Sequence, residues 1–260
     1  MGNEIGLVIL SDRFGSRHGG PLRQFMTNVR RSGVRLTLWL GFDIVAAQVT
    51  GWMGTWIEKL ARRRPQLASV RVLAKRHGAI VGDTADINGV DTIAALRAYA
   101  PEVVLVMNFD QILRQELIEG AACPIINIHP SLLPSLRGPC PVFWALMEGR
   151  PEVGVSLHLI QDDQVDAGAV LIQSARLLDR SLSVAELTAA LFEEGAALFL
   201  EALRAPRGRR GANRPQGSAQ ASYRGFPDRA TLAQSRRQGV RLCRLRPLAV
   251  LIAKAVGFVR

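Results

Sequence analysis

The 260-residue chain contains no apolar run near the roughly 20 residues that cross a bilayer. Its opening, Met1-Gly-Asn-Glu-Ile-Gly-Leu-Val-Ile-Leu10, has neither a basic leader nor a cleavage site, and is expected to form a first strand rather than a signal peptide. Cysteine is scarce. Cys123, Cys140 and Cys243 are odd in number and far apart, which argues against a disulfide framework or zinc finger and for a reducing, cytoplasmic compartment. A dinucleotide-type G-x-G-x-x-G and internal repeats are also missing. Acid is nearly absent from one end: residues 202–260 hold fourteen Lys/Arg against the single acid Asp228, whereas residues 1–201 hold nineteen bases and twenty-one acids. The net charge of +11 therefore belongs to the C-terminal segment. A near-neutral body suits a small-molecule enzyme, and the basic segment suits either an anionic partner or a solvated tail.

What is present is an alternation of short β-rich runs and helical patterns. Strands are expected at Ile5–Leu10, Val34–Leu40, Glu102–Asn108, Pro124–His129, Val153–Ile160 and Ala169–Gln173, and helices at Pro21–Arg31, Trp52–Arg64, Asp91–Ala98, Gln115–Glu119 and Val142–Glu148. Strands that are apolar on both faces and separated by helices predict an α/β fold, a mostly parallel, Rossmann-like open sheet with helices on both faces. Ser183-Val-Ala-Glu186 is a capping box, opening a helix that runs to about Leu203. The expected organisation is a body at 1–203, a Pro/Gly/Arg-rich linker or extended loop at 204–222, and a basic extension at 223–260. The apolar end, Pro247–Val259, is too short to span a membrane.

Two segments carry chemistry. In Pro124-Ile-Ile-Asn-Ile-His-Pro-Ser-Leu-Leu-Pro134 a strand ends in Asn127 and His129, two apart and so on one face, before a Pro-bounded loop turns the chain away. The carboxyl end of a strand in an open α/β sheet is where ligands bind. An amide beside an imidazole can hold an oxyanion and exchange a proton. In the second segment the strand Gly154-Val-Ser-Leu-His158 leads to an acidic loop with Asp162, Asp163 and Asp166, and Gly168 re-enters a strand. A carboxylate from that loop would orient His129 and favour its charged form. No His or Cys lies at ligand spacing from these acids, so no metal site is expected. The spacing leaves open which Asp matters.

With Asn127-Ile-His-Pro-Ser-Leu-Leu-Pro134, Arg137-Gly-Pro-Cys-Pro141, Gly154-Val-Ser-Leu-His158 and Asp166-Ala-Gly168 assembled, residues 1–203 resemble the folate-dependent formyltransferase family. The resemblance implies a catalytic trio of Asn127, His129 and Asp166, with Asp166 holding a protonated His129, and 10-formyltetrahydrofolate as formyl donor. It places the folate against Phe109, Asp110, Gln111, Ile112 and Leu113, with Ile118 on the following helix and Asp162 and Asp163 on the other side. Ser131, Arg137 and His158 are candidate substrate contacts. Arg13 and Arg17, in a Gly-containing loop before a helix, are candidates for an anion.

The acceptor is expected to be a small or specialised amine, a primary amine or hydroxylamine. The basic extension would meet an anionic partner such as a nucleotide, a nucleotide-sugar or tRNA. The Arg137-Gly-Pro-Cys-Pro-Val-Phe-Trp-Ala-Leu146 stretch resembles the methionyl-tRNA and amino-sugar branches. Members acting on methionyl-tRNA resemble chains with a full C-terminal β-barrel, for which the remaining residues are few. The alternatives are methionyl-tRNA formylation, hydrolysis of formyltetrahydrofolate, and a non-catalytic scaffold binding RNA through its basic segment. Cys123 and Cys140 are expected to be packing residues, and Ser156 is not expected to be a nucleophile.

Overall fold

The computed structural model describes residues 5–12, 22–23, 25–34, 36–38, 69–205 and 213–244. It divides into two compact units, Met1–Thr84 with Cys243–Arg260, and Ala85–Leu242. The expected helix at Trp52–Arg64 and the apolar end at Pro247–Val259 lie outside the described residues.

In the first unit, β1 (Leu7–Ser11) pairs in parallel with β2 (Ile80–Thr84), in a register running from Leu7 opposite Ile80 to Ser11 opposite Thr84. Helix α1 is helical at 22–23, 25–34 and 36–38. The strand expected over Val34–Leu40 is therefore overturned at 34 and 36–38. Its alternation of apolar and polar residues also fits a helix with one buried side, on which Leu36 and Thr37 are covered. The Thr37 hydroxyl donates to the Gly33 carbonyl one turn back. Helix α2 (Val70–Arg76) is capped by Ser69, whose hydroxyl accepts from the Val72 N–H, and Arg71 pairs with Asp83.

The second unit runs α3 (Val90–Tyr99), β3 (Val104–Met107), α4 (Gln115–Ala121), β4 (Ile125–His129), α5 (Pro141–Glu148), β5 (Glu152–Leu159), β6 (Val170–Leu177), α6 (Val184–Arg204) and α7 (Arg229–Arg237). Its sheet is ordered β3-β4-β5-β6. β3 and β4 are parallel, whereas β4–β5 and β5–β6 are antiparallel. β5 and β6 are joined by a loop with no crossover helix and so run antiparallel, while β5 also runs antiparallel to β4 with α5 between them in the chain. This unit is an open α/β arrangement.

β5 is one of the two inner strands and is buried on both faces except at its ends. On one face Ile128, Val155 and Leu157 meet α6, whose Leu187 and Leu191 are fully covered. The approach is close enough to require Gly195, since a Cβ there would collide with Ile128 and lie 2.8 Å from Val155 Cγ2. The capping box forms as expected, Ser183 Oγ accepting from the Glu186 N–H and Glu186 Oε2 from the Ser183 N–H. The next two amides of α6, Val184 and Ala185, donate to the carbonyls of Arg241 and Leu242. Part of the basic extension thereby closes the helix N-terminus that would otherwise need other acceptors. The opposite face of β4 and β5 carries Asn127, His129, Ser156 and His158.

Candidate active site

The register of β4 against β5 sets Asn127 opposite His158 and His129 opposite Ser156, so four polar side chains share one patch of sheet. The loop after β4 closes over it. Buried Ser156 acts as a clamp, its hydroxyl donating to the Ser131 carbonyl at 2.6 Å and accepting from the Leu133 N–H at 3.1 Å and from Gln173 Nε2 at 2.9 Å. Leu132 lies against Gly154, where a Cβ would have no room. Ser131 is itself buried and donates to the Ser135 carbonyl, so its hydroxyl is spent inside the loop.

Asp166 enters from the β5–β6 loop with a left-handed backbone, φ 52°. Gly168, two residues on, is pressed onto the Leu159 carbonyl with no space for a side chain, which accounts physically for the Asp-x-Gly spacing. The carboxylate reaches the patch with both oxygens. Its Oδ1 accepts from Asn127 Nδ2 at 3.2 Å and lies 3.5 Å from His129 Nδ1 and 3.4 Å from His158 Nε2. Its Oδ2 accepts from the Gly138 N–H at 2.8 Å. Asn127 Nδ2 also sits 3.1 Å from His158 Nε2. His158 Nδ1 faces the Leu159 carbonyl at 2.9 Å, and its Nε2 stands between the Asn127 amide and the Asp166 carboxylate. His129 Nε2 lies 3.0 Å from the Leu136 carbonyl, and the two imidazoles meet edge to face at 6.3 Å.

The electrostatics follow from this packing. Burial alone would raise the Asp166 carboxyl, but the His129 imidazole, the hydrogen bond with His158 and the Gly138 N–H outweigh it and hold the group at about 2. For His129 burial is the largest influence and lowers its pKa. The Asp166 carboxylate and Leu136 carbonyl pull upward without cancelling it, and His158 adds to the lowering. Burial thus works against the charged His129 that the sequence leads one to expect, while Asp166 works for it. A proton arriving at His129 would nevertheless find acceptors at both ring nitrogens, Asp166 on one side and Leu136 on the other.

The remaining candidates fall in three groups. In the loop after β3, Phe109 is half-buried, Asp110 and Ile112 are exposed, and Leu113 is buried as an anchor. Gln111 Oε1 accepts from the Ile87 N–H and the Ile112 carbonyl accepts from Asn88 Nδ2, while Ile118 on α4 is half-buried. Asp162 is half-buried and its Oδ1 accepts from the Gln164 N–H within its loop; Asp163 is exposed. Arg13 and Arg17 lie outside the described residues. Among the described residues no group of three or more His, Cys, Asp or Glu is placed to hold a metal ion, and no helix is long and apolar enough to cross a membrane.

Sequence reasoning missed Ser156 as a clamp, Gly138 as a donor and Gln216 altogether. Gln216 Oε1 accepts from Arg137 Nε at 3.0 Å and Nη2 at 2.7 Å, while its Nε2 donates to the carbonyls of Asp166 at 2.9 Å and Gly168 at 2.7 Å. Arg137 is thus engaged with the chain's own C-terminal segment. A glutamine in an aperiodic Pro/Gly/Arg stretch gives no signal of this. Gly138 is readable only after the fact, as a glycine at φ 94° whose missing Cβ leaves room for Tyr223 and the Arg224 carbonyl.

An open α/β unit thus gathers an amide, an imidazole and a carboxylate at the end of an inner strand, groups able to hold an oxyanion and exchange a proton. The description Formyl transferase belongs to a family model that matches residues 70–203, about half of the chain. The chain belongs to the formyl transferase family. It is 36% identical over 162 residues to a methionyl-tRNA formyltransferase of Chloroflexus aggregans, covering 62% of this chain and 52% of that one. It is 35% identical over 179 residues to the methionyl-tRNA formyltransferase of a Roseiflexus species, covering 68% and 54%. The chain spans about half the length of these curated relatives. The fold is similar to that of a sugar N-formyltransferase from Shewanella sp. FDAARGOS_354, with a TM-score of 0.51 at 16% identity, covering 86% of this chain and 78% of that one.

Proposed function

We propose that this chain transfers the formyl group of 10-formyltetrahydrofolate to the nitrogen of an amine acceptor, with Asn127, His129 and Asp166 as catalytic residues. The observation that carries the reading is the meeting of an amide, an imidazole and a carboxylate around Asp166 Oδ1, all within 3.5 Å, on a chain of the formyl transferase family. The unprotonated amine attacks the formyl carbon and forms the new C–N bond, while the carbonyl electrons move to oxygen. Asn127 Nδ2 and His129 Nε2–H hold that oxygen, exchanging their present bonds to Asp166 and Leu136 for it. The amine's proton is taken up by the His129–Asp166 pair, whose geometry suits an imidazolium, and passes to the folate nitrogen as the old C–N bond breaks. His158 holds Asn127. Phe109, Asp110, Gln111, Ile112, Leu113, Ile118, Asp162 and Asp163 are assigned to the donor, with exposed Ile112 offering an apolar contact for the pterin.

The acceptor is a primary amine or hydroxylamine. Initiator methionyl-tRNA is the second reading, favoured by the name of the 36%-identical relative and by the fourteen Lys/Arg in residues 202–260. The experiment is release of tetrahydrofolate from the formyl donor across a panel of amines that includes charged tRNA. Amine-dependent release supports transfer. Release without any amine supports hydrolysis of the donor instead, and salt-sensitive RNA binding without release supports a scaffold.

A further inference from the structure

Residues 213–225 return from far along the chain and lie along the loop after β4. The Arg214 N–H and carbonyl exchange bonds with Val170, Ser222 Oγ accepts from the Leu136 N–H, and the Ser222 carbonyl accepts from the Arg137 N–H. In the middle of this strap sits Gln216. Its carboxamide uses two donor and two acceptor positions, as many as such a group possesses: two carbonyls of the Asp166–Gly168 segment on one side, and two nitrogens of the Arg137 guanidinium on the other. One side chain therefore ties together the loop after β4, the β5–β6 loop and the strap.

We propose that Gln216 is a positioning residue for the reaction: it clamps the main chain at Asp166 and Gly168 and so keeps the Asp166 carboxylate on Asn127 and His129. Asp166 needs such a clamp because its φ of 52° is a left-handed backbone that a non-glycine residue adopts at a cost. The carbonyl that Gln216 holds belongs to that same residue. The other end of the clamp reaches Arg137, whose neighbour Gly138 supplies the N–H to Asp166 Oδ2. Gln216 thereby acts on the carboxylate through its own backbone and through the donor that faces it. This inference rests on formyl transfer as the reaction.

The test uses the full chain with Gln216→Glu, which keeps an acceptor for Arg137 but turns an oxygen towards two carbonyls, and Gln216→Met, which is similar in length and makes neither bond. The chain has four histidines, so His129 can be followed by imidazole NMR, with His129→Asn assigning its signal. The titratable groups facing it are Asp166 and His158. Release of the Asp166 loop should lower the His129 midpoint by about one pH unit, the low end of what an opposite charge at this range supplies. It should also reduce kcat for amine-dependent tetrahydrofolate release by about ten- to a hundredfold while leaving KM for the formyl donor little changed. An unmoved or raised His129 midpoint in the folded variants overturns the clamp, as does a rise in donor KM at constant kcat. If Gln216→Glu does not fold, Gln216→Met decides. If wild-type protein releases no tetrahydrofolate with any amine, the proposed function fails while the His129 midpoint still decides the clamp.

Discussion

The loops after β3 and β4 leave parallel neighbouring strands at the same end of one sheet, yet they are built in opposite ways. The loop after β4 is folded inward: Ser131, Leu133, Leu136 and Gly138 are buried, and Ser156, Ser222 and Asp166 hold its polar groups. The loop after β3 is fixed at its ends by Asn88, Gln111 and Leu113 but turns Asp110 and Ile112 outward. The first arrangement fixes bond-making groups; the second leaves surface for a ligand to cover. Chemistry that depends on fractions of an ångström goes with the loop that has no freedom.

That contrast can be broken most strongly on the rigid side. Asn127→Ala and His129→Ala are each expected to lower turnover by about a hundredfold or more, the scale for losing an oxyanion donor; turnover near wild type in either would remove it from the proposed trio. Asp166→Asn should fall comparably with the fold retained, as circular dichroism and kinetics together would establish.

The same carboxylate makes the rigid side sensitive to acid. Its folded pKa of about 2 lies below its ordinary 3.8, so its stabilising contribution is complete above 3.8 and is lost as pH falls towards 2. That contribution is on the order of 2 kcal/mol. His129 adds an earlier step. Its lowered pKa means that stability gained by burying the neutral ring is whole above 6.5 and begins to decline below it. Thermal melts between pH 7 and 3 should fall in two stages, and His129→Asn should erase the upper one.

Behind the rigid face, Gly195→Ala forces a methyl against Ile128 and Val155 and should cost about 1–3 kcal/mol, read from denaturant unfolding. On the open side the effect is smaller and of another kind. Ile112→Ser is expected to raise KM for the formyl donor by about tenfold, the loss of one apolar side-chain contact, with kcat unchanged. A drop in kcat instead would mean that the two loops are not divided in this way.

Much of this was legible in the amino acids because it is local. The period of two in β4 put Asn127 and His129 on one face. Ser183 and Glu186 announced the start of α6, and α5 begins one residue before the expected Val142. The Asp-x-Gly spacing had its cause in a single crowded glycine. Failures came where a short pattern had two solutions or where the partner was distant. Val34–Leu40 alternates well enough for a strand, yet is helical at its described residues because the turn bond from Thr37 to Gly33 is available. Burial, the largest influence on His129, is a property of the packed loop and cannot be read from the local sequence. Gln216 was invisible because its partners stand 48 to 79 positions away along the chain.

The start of α6 has one last consequence. The amides of Val184 and Ala185 end on the carbonyls of Arg241 and Leu242, so their exchange with deuterated solvent is slow only while those two residues remain docked. They are a built-in reporter: if an anion that engages the arginines pulled that stretch from its seat, the two amides would lose protection before the rest of the helix did.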